Sequence, residues 1–398
     1  MNACNQTHAR PVARVAEKGP QPPHIMTRLD VPSEDGLPRA ERRGRAEFII
    51  LDRPRARNAL TIDVIERLHE LYARAEADAG VACHVLLGRS HGTFCAGGDV
   101  RCIRTSVLNG DFATAREFFA REFALNARMS ALTKPSLCVW NGTVMGGGAG
   151  LSCYAPVRVS TELTTFAMPE CAIGLYPDVG ASWFLHALCG RAVGTWLALT
   201  GARVEGAVCK ALGLSTHHVT IDAWERVVEP RVRALELGSS AEDVARCAAA
   251  GEASGGDGAA TGSSSAFAAT PSGRAAVEEV FGDDSLSLSE IIAAVRSRRD
   301  DGTSEAERRF FSDAAESLAS ASPTSLEVTL ELMRRARGKS LEWCLATDNV
   351  LITKFIYADD FQRGVDAVLI KKVGAPPPEG WTKMTRSVSS FFADDSKL

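Results

Sequence analysis

The sequence predicts an α/β fold that ends in a helical C-terminal region, and three observations lead there. Short apolar runs bounded by polar residues or glycine have the length of buried strands, among them Phe48-Ile49-Ile50-Leu51, His84-Val85-Leu86-Leu87 and Ser136-Leu137-Cys138-Val139-Trp140. The last two deliver the chain to glycine-rich turns, Ala96-Gly97-Gly98-Asp99 and Met145-Gly146-Gly147-Gly148-Ala149-Gly150, and the second turn leads into a helix-compatible segment, Leu151-Ser152-Cys153-Tyr154. Beyond residue 219 the strand pattern gives way to helices.

Residues 1–46 are rich in proline, arginine and polar residues without apolar periodicity, and they read as a disordered extension. Arg10, Arg14, Lys18 and Arg28, with few acids before Asp30, suggest a mitochondrial leader, although the prolines oppose an amphipathic helix. The core, residues 47–235, opens with a strand and the arginine-rich loop Arg53-Pro54-Arg55-Ala56-Arg57. Thr61 then caps a helix with Asp63 and Glu66 in its early turns and an apolar stripe through Val64, Ile65, Leu68, Leu71 and Ala75. Residues 112–132 read as one amphipathic helix in which Glu122 stands among Phe118, Phe119, Phe123 and Met129.

Residues 248–274, within a low-complexity stretch and its flanks at 236–285, are too rich in alanine, glycine and serine to fold alone, and read as an inserted flexible loop. The helical region, residues 286–390, contains a helix opened by Ser322-Pro323-Thr324 and another over residues 345–361. Residues 391–398 are a tail ending in Ser396-Lys397-Leu398.

Glycines remove every Cβ from a turn, so backbone N–H groups at a helix N-terminus can approach a ligand oxygen. One such turn equally marks tight packing. Two of them can offer two N–H donors to one oxygen, the geometry an acyl-transfer oxyanion requires. Glu170 and Asp178, eight positions apart in apolar surroundings, add two carboxylates, and a buried carboxylate needs a partner or a function. A Cys95 nucleophile with His91 as its base is a weaker proposal, because four extended residues separate the pair by about 13 Å.

FCAGGDVR, NGTVMGGGAGLS, FAMPECAIGLYPDVG and LALTGARVEGAVCKALGLSTHHV, in that order, resemble the crotonase (enoyl-CoA hydratase/isomerase) superfamily, and within it the 3-hydroxyisobutyryl-CoA hydrolase branch. The resemblance runs from Phe48 to about His218 and resumes in ASPTSLEVTL and DFQRGVDAVLIKK. It implies a spiral of ββα repeats, an acyl-CoA thioester substrate, and no cofactor beyond the coenzyme A of that substrate. It also implies C-terminal helices that cover the site or pack on a neighbouring subunit of a homo-oligomer.

Residue by residue, the resemblance implies that Gly98 and Gly147 supply the two oxyanion N–H groups and that Glu170 and Asp178 form the working pair. Glu122 lines the acyl pocket, where it accepts a hydrogen bond from a substrate hydroxyl. Arg55 and Ala56 meet coenzyme A, and Arg101 either faces it or pairs with a surface acid. Hydratases of the superfamily carry a first catalytic Glu where this chain has Gly150, a second that matches Glu170, and tend to have Gly where this chain has Asp178. Adding water across a double bond generally needs both acids. The implied reaction is therefore hydrolysis of a short 3-hydroxyacyl-CoA such as 3-hydroxyisobutyryl-CoA, in valine breakdown, with Glu170 either attacking the thioester to form a mixed anhydride or activating water. A hydratase or isomerase of the same fold, and a non-catalytic structural subunit, are the alternatives.

The 398 residues carry a net charge of −4 and no basic stripe with interleaved aromatics, which argues against a nucleic-acid partner. The 11 cysteines lack metal or redox spacing and read as small buried hydrophobes, and no apolar run approaches the length of a membrane span. Ser396-Lys397-Leu398 matches the address read by the peroxisomal import receptor, which sets a peroxisomal expectation with the mitochondrion as alternative.

Overall fold

Strands that read as short apolar runs are buried along their whole length, β2 (Ala46–Leu51), β3 (Cys83–Gly88) and β5 (Ser136–Trp140) alike, as befits a sheet covered on both faces. A computed structural model describes residues 35–252, 263–374, 380–381 and 387–393. With β1 (Arg39–Arg43), β7 (Val157–Ser160) and β10 (His217–His218) these strands form a six-stranded sheet in the order β1-β2-β3-β5-β7-β10, parallel except for β1 against β2. β4 (Gly92–Cys95), β6 (Gly142–Met145), β8 (Thr165–Ala167) and β9 (Val204–Glu205) form a second sheet in that order, antiparallel only between β8 and β9.

The chain thus alternates between sheets. β3, β5 and β7 join the larger one, and the strand after each, β4, β6 and β8, joins the smaller. Between β5 and β6 a single residue, Asn141, makes the crossing. Gly88 N–H donates to its Oδ1 (3.1 Å), its Nδ2 donates to Gly88 O (2.6 Å), and Gly92 N–H donates to its carbonyl (2.7 Å). A Cβ on the next residue, Gly142, would overlap the backbone of Gly92 and Thr93, so the corner accepts only glycine.

The helices are α1 (Ile62–Ala77), α2 (Val100–Leu108), α3 (Phe112–Ser130), α4 (Gly147–Gly150), α5 (Ala181–Cys189), α6 (Arg191–Thr200), α7 (Gly206–Leu212), α8 (Ile221–Ala223), α9 (Glu229–Arg233) and α10 (Ala241–Glu252). They continue as α11 (Pro271–Phe281), α12 (Leu288–Asp301), α13 (Glu305–Ser320), α14 (Pro323–Arg335), α15 (Leu341–Phe355) and α16 (Asp359–Val365). Thr61 caps α1 as expected, its hydroxyl accepting from Val64 N–H (3.3 Å), and Ser322 caps α14 in the same way. α15 packs on α3 and α14 on α6, so one continuous apolar core runs from Ile49 to Phe392. Among the described residues no helix is long and apolar enough to cross a membrane.

Several expectations are corrected. Residues 39–43 of the supposedly disordered extension form an edge strand. Four of its five side chains are charged, so it shows no apolar periodicity, but β2 supplies its backbone partners and Arg43 pairs with Glu229 (2.9 Å). Residues 248–274 are not a single loop: α10 runs to Glu252, and Phe267 and Ala268 are buried ahead of α11, while the loop expectation for residues 253–262 lies outside the described residues. The helix over residues 345–361 is two helices, α15 and α16, broken at residues 356–358. The tail is anchored at its start by buried Phe391 and Phe392, the latter under the Arg335 guanidinium. Residues 1–34, with the leader expectation, and Ser396-Lys397-Leu398 lie outside the described residues.

Asn141→Ala removes both bonds to Gly88 and leaves a buried N–H and C=O unpaired. We expect a loss of about 2–4 kcal/mol, read as a lower urea midpoint with an unchanged m-value.

Candidate active site

The parallel pairing of β4 with β6 sets the two glycine turns side by side. Asn58 holds the first: its Nδ2 donates to Phe94 O (2.8 Å), and Leu60 N–H donates to Gly97 O (2.9 Å). Gly97, at φ +98°, approaches so closely that a Cβ there would lie 3.1 Å from Met145 O and 3.4 Å from Gly147 N. Among the described residues, neither the Gly98 nor the Gly147 N–H donates to another backbone group. The helix expected after the glycines is the single turn α4 within them, and residues 151–154 are turns. So short a helix has little macrodipole, and any oxyanion stabilisation rests on individual N–H groups.

Carboxyl groups sit directly against these turns. A Cβ at Gly147 would overlap Glu122 Oε1, and one at Gly146 would lie 2.8 Å from Glu170 Oε1. Glu122 is 2% exposed, and Glu170 and Asp178 are each 6% exposed. Among the described residues, Glu122 Oε1 and Glu170 Oε2 have no hydrogen-bond partner. Burial raises the Glu122 carboxyl well above the usual range, with Asp178 and then Glu170 adding like-charge repulsion. Burial and then Asp178 do the same to Glu170, and burial pushes Asp178 up to about 7. The Asp178 charge therefore opposes ionisation of both glutamates.

Glu170 stands on a short 3-10 turn (Glu170–Ile173) held by the C-terminal helices, with Ser322 N–H donating to Cys171 O (3.0 Å) and Gly174 packed on the Asp360 backbone. Asp178 precedes Val179, a β-branched residue at φ +52°, a strain of about 1–3 kcal/mol. Three hydrogen bonds hold that turn: Tyr154 OH to Val179 O (2.5 Å), Gly180 N–H to Asp348 Oδ2 (2.8 Å) and Tyr176 OH to Asp348 O (2.8 Å). Val179 fills the space beside Gly150, where an added Cβ would lie 2.7 Å from Val179 Cβ and 2.8 Å from Asn126 Nδ2.

The structure therefore brings together Gly98, Gly147, Glu122, Glu170 and Asp178. Arg55 and Arg101 are exposed, and Ala56 is half-buried, tied to the first turn where Ala96 N–H donates to Arg57 O (3.0 Å). Cys95 and His91 make no pair: Cys95 is fully buried, its thiol pushed up to about 12 by burial and bonded to Asn58 O, while His91 faces Glu225 (3.2 Å). Two residues escaped the sequence reading. Asp348 is a fourth buried acid, raised by burial and then by Asp178. Asn126 is 0% exposed and its Nδ2 and Oδ1 have no partner among the described residues. Both had a legible signal, a polar side chain on an apolar helical stripe, Leu341-Leu345-Asp348-Ile352 in one case and Phe119-Glu122-Asn126-Met129 in the other.

Two sheets filled by alternate strands, with glycine turns from neighbouring strands meeting over buried acids, place the molecule in the crotonase fold class. Residues 46–389 match the family described as enoyl-CoA hydratase/isomerase, and the chain belongs to that family. It is 34% identical over 356 residues to 3-hydroxyisobutyryl-CoA hydrolase, mitochondrial, of Danio rerio, covering 89% of this chain and 87% of that protein. With 3-hydroxyisobutyryl-CoA hydrolase 1 of Arabidopsis thaliana it shares 32% over 349 residues, 83% of this chain and 84% of the relative. Among solved structures it resembles an enoyl-CoA hydratase from Rhodobacter sphaeroides (TM-score 0.73, 27% identity, 89% of this chain and 97% of that one). A carnitinyl-CoA dehydratase from Mycobacterium thermoresistibile is similar to the same degree (TM-score 0.73, 31% identity, 90% and 96%).

Asp178 has its native value near 7, against about 3.9 in an unfolded chain. The folded state then binds more protons between those values, and stability falls as pH rises through that window. Asp178→Asn removes this burden, so the variant should melt above wild type beyond pH 7, with the difference vanishing toward pH 4 in thermal scans.

Proposed function

We propose that this protein hydrolyses acyl-CoA thioesters, with 3-hydroxyisobutyryl-CoA, of valine breakdown, as its preferred substrate. The observation that carries the choice of hydrolysis is at Gly150, where Val179 and Asn126 occupy the space that a second hydratase acid would need. The names of the relatives support the acyl group. The bound thioester carbonyl sits with its oxygen between Gly98 N–H and Gly147 N–H. Glu170 attacks the carbonyl carbon, the tetrahedral oxyanion collapses, and coenzyme A thiolate leaves a mixed anhydride on Glu170. Water then cleaves the anhydride, giving the free acid and regenerating Glu170, while the proton it sheds passes to the acids of the cluster. In the alternative route Glu170 takes the proton of a water that attacks directly.

Asp178 holds Glu170 or the attacking water in place. Arg55, Ala56 and Arg101 are proposed on the coenzyme A side, where exposed guanidinium groups suit its phosphates. For location, the vertebrate relatives named mitochondrial support the mitochondrial alternative and lend nothing to the peroxisomal one.

The test is free-thiol release from 3-hydroxyisobutyryl-CoA, 3-hydroxypropionyl-CoA and crotonyl-CoA, with Glu170→Gln in parallel. Release from the hydroxyacyl thioesters should fall at least about 100-fold in the variant. Absence of thiol release from all three by a protein that still binds them would sink the hydrolase reading.

A further inference from the structure

Asn126 has a burial that its own bonding does not explain. It is 0% exposed, and among the described residues neither its amide nitrogen nor its oxygen has a partner. An unpaired buried polar group costs about 1–3 kcal/mol and is kept where something else supplies the bond. Its position says where that partner would sit. Glu122 and Asn126 are one turn apart on α3, and they face Gly147 and Gly150, one turn apart on α4. The first of these pairs lies beside the proposed oxyanion donor. Three residues at about 1.5 Å each set the second pair about 4.5 Å further along. That is the reach of a β-substituent from a thioester carbonyl. The wall there has two characters: Val179 presents methyl groups and Asn126 an amide.

Resting on the thioesterase reading, we propose that Asn126 determines specificity by receiving the hydroxyl of a 3-hydroxyacyl thioester between its amide and the Glu122 carboxyl. An alcohol both donates and accepts. It can take an N–H from Asn126 Nδ2 and give its own proton to Glu122 Oε1, which is also without a partner. A thioester lacking the hydroxyl leaves both buried groups unpaired, the arrangement that discriminates most strongly against the deoxy analogue.

The experiment compares 3-hydroxyisobutyryl-CoA with isobutyryl-CoA on wild type, Asn126→Leu and Asn126→Ser, with kcat/KM for both thioesters and the melting temperature of each ligand-free protein. Asn126→Leu should cut the preference for the hydroxyacyl thioester by about 10- to 100-fold, chiefly by losing activity on that substrate. It should also hold or raise the melting temperature, because it removes an unsatisfied polar group. An unchanged preference in the folded Leu variant overturns the proposal, as does a lowered melting temperature with the preference intact, which would mark Asn126 as a structural residue bonded to buried water. Should the Leu variant fail to fold, the same loss or retention of preference is read from Asn126→Ser. Binding of the two thioesters in a Glu170→Gln background separates this proposal from the hydrolase reading. A hydroxyl preference that Asn126 variants abolish sustains the proposal even where wild type turns over neither thioester, and a preference they leave intact, or none in the parent, overturns it.

Discussion

The backbone of Gly97 lies against that of Gly146 and Gly147, and the rest of the site depends on that contact. It exists because β4 and β6 are parallel neighbours whose ends coincide. Those strands are neighbours in turn because the chain leaves the larger sheet for the smaller one at the same point in each repeat. Asn141 stitches that crossing to Gly88, and Gly142 admits the backbone of Gly92 and Thr93. A side chain in either glycine turn would separate the two turns or displace a carboxylate. The glycines therefore serve two ends with one property: they permit backbone approach, and they leave room for acids directly behind the amides.

Placing Glu122, Glu170, Asp178 and Asp348 in one buried cluster opposes folding, since desolvation heads the causes that raise all four carboxyls. The C-terminal helices help to hold the arrangement. α14 and α16 brace the turn of Glu170, and α15 contributes Asp348, whose carboxylate takes the Gly180 N–H while its carbonyl takes the Tyr176 hydroxyl. The helical region thus helps to position the buried acids. The continuous core from Ile49 to Phe392 is the packing expression of the same dependence.

What the sequence disclosed follows the range of the physics. Local determinants were legible: the Thr61 cap, the stripe of α1, the extent of α3 to within two residues of its end, and the glycine turns. The crossing at Asn141 was not, because residues 136–145 read as a strand followed by a turn, and which sheet each half joins is decided by partners far along the chain. The edge strand at residues 39–43 was hidden for a related reason, since its backbone pairing with β2, and not its own side chains, makes it a strand. At the site, Glu122, Glu170 and Asp178 were found through the resemblance and through their apolar neighbours. Asp348 lies 170 residues from Asp178 in sequence, and only the packing of α15 against α3 and α5 brings it to the Gly180 turn.

The same long-range packing bears on how this fold can carry either hydration or thioester cleavage. A side chain added at Gly150 meets Val179 and Asn126, so on the proposed hydrolase reading a single exchange there would not create a hydratase pair. Val179 is there because it adopts a left-handed backbone that a β-branched residue avoids, and that conformation is held by Tyr154 from within the spiral and by Asp348 from α15. Asp178, one residue earlier, is aimed by the same turn. The burial of Asp178 and the filling of the space beside Gly150 are consequences of one strained tripeptide. On the proposed hydrolase reading, the choice of chemistry is therefore distributed over the spiral and the C-terminal helices, and Gly150 is its local mark rather than its whole cause.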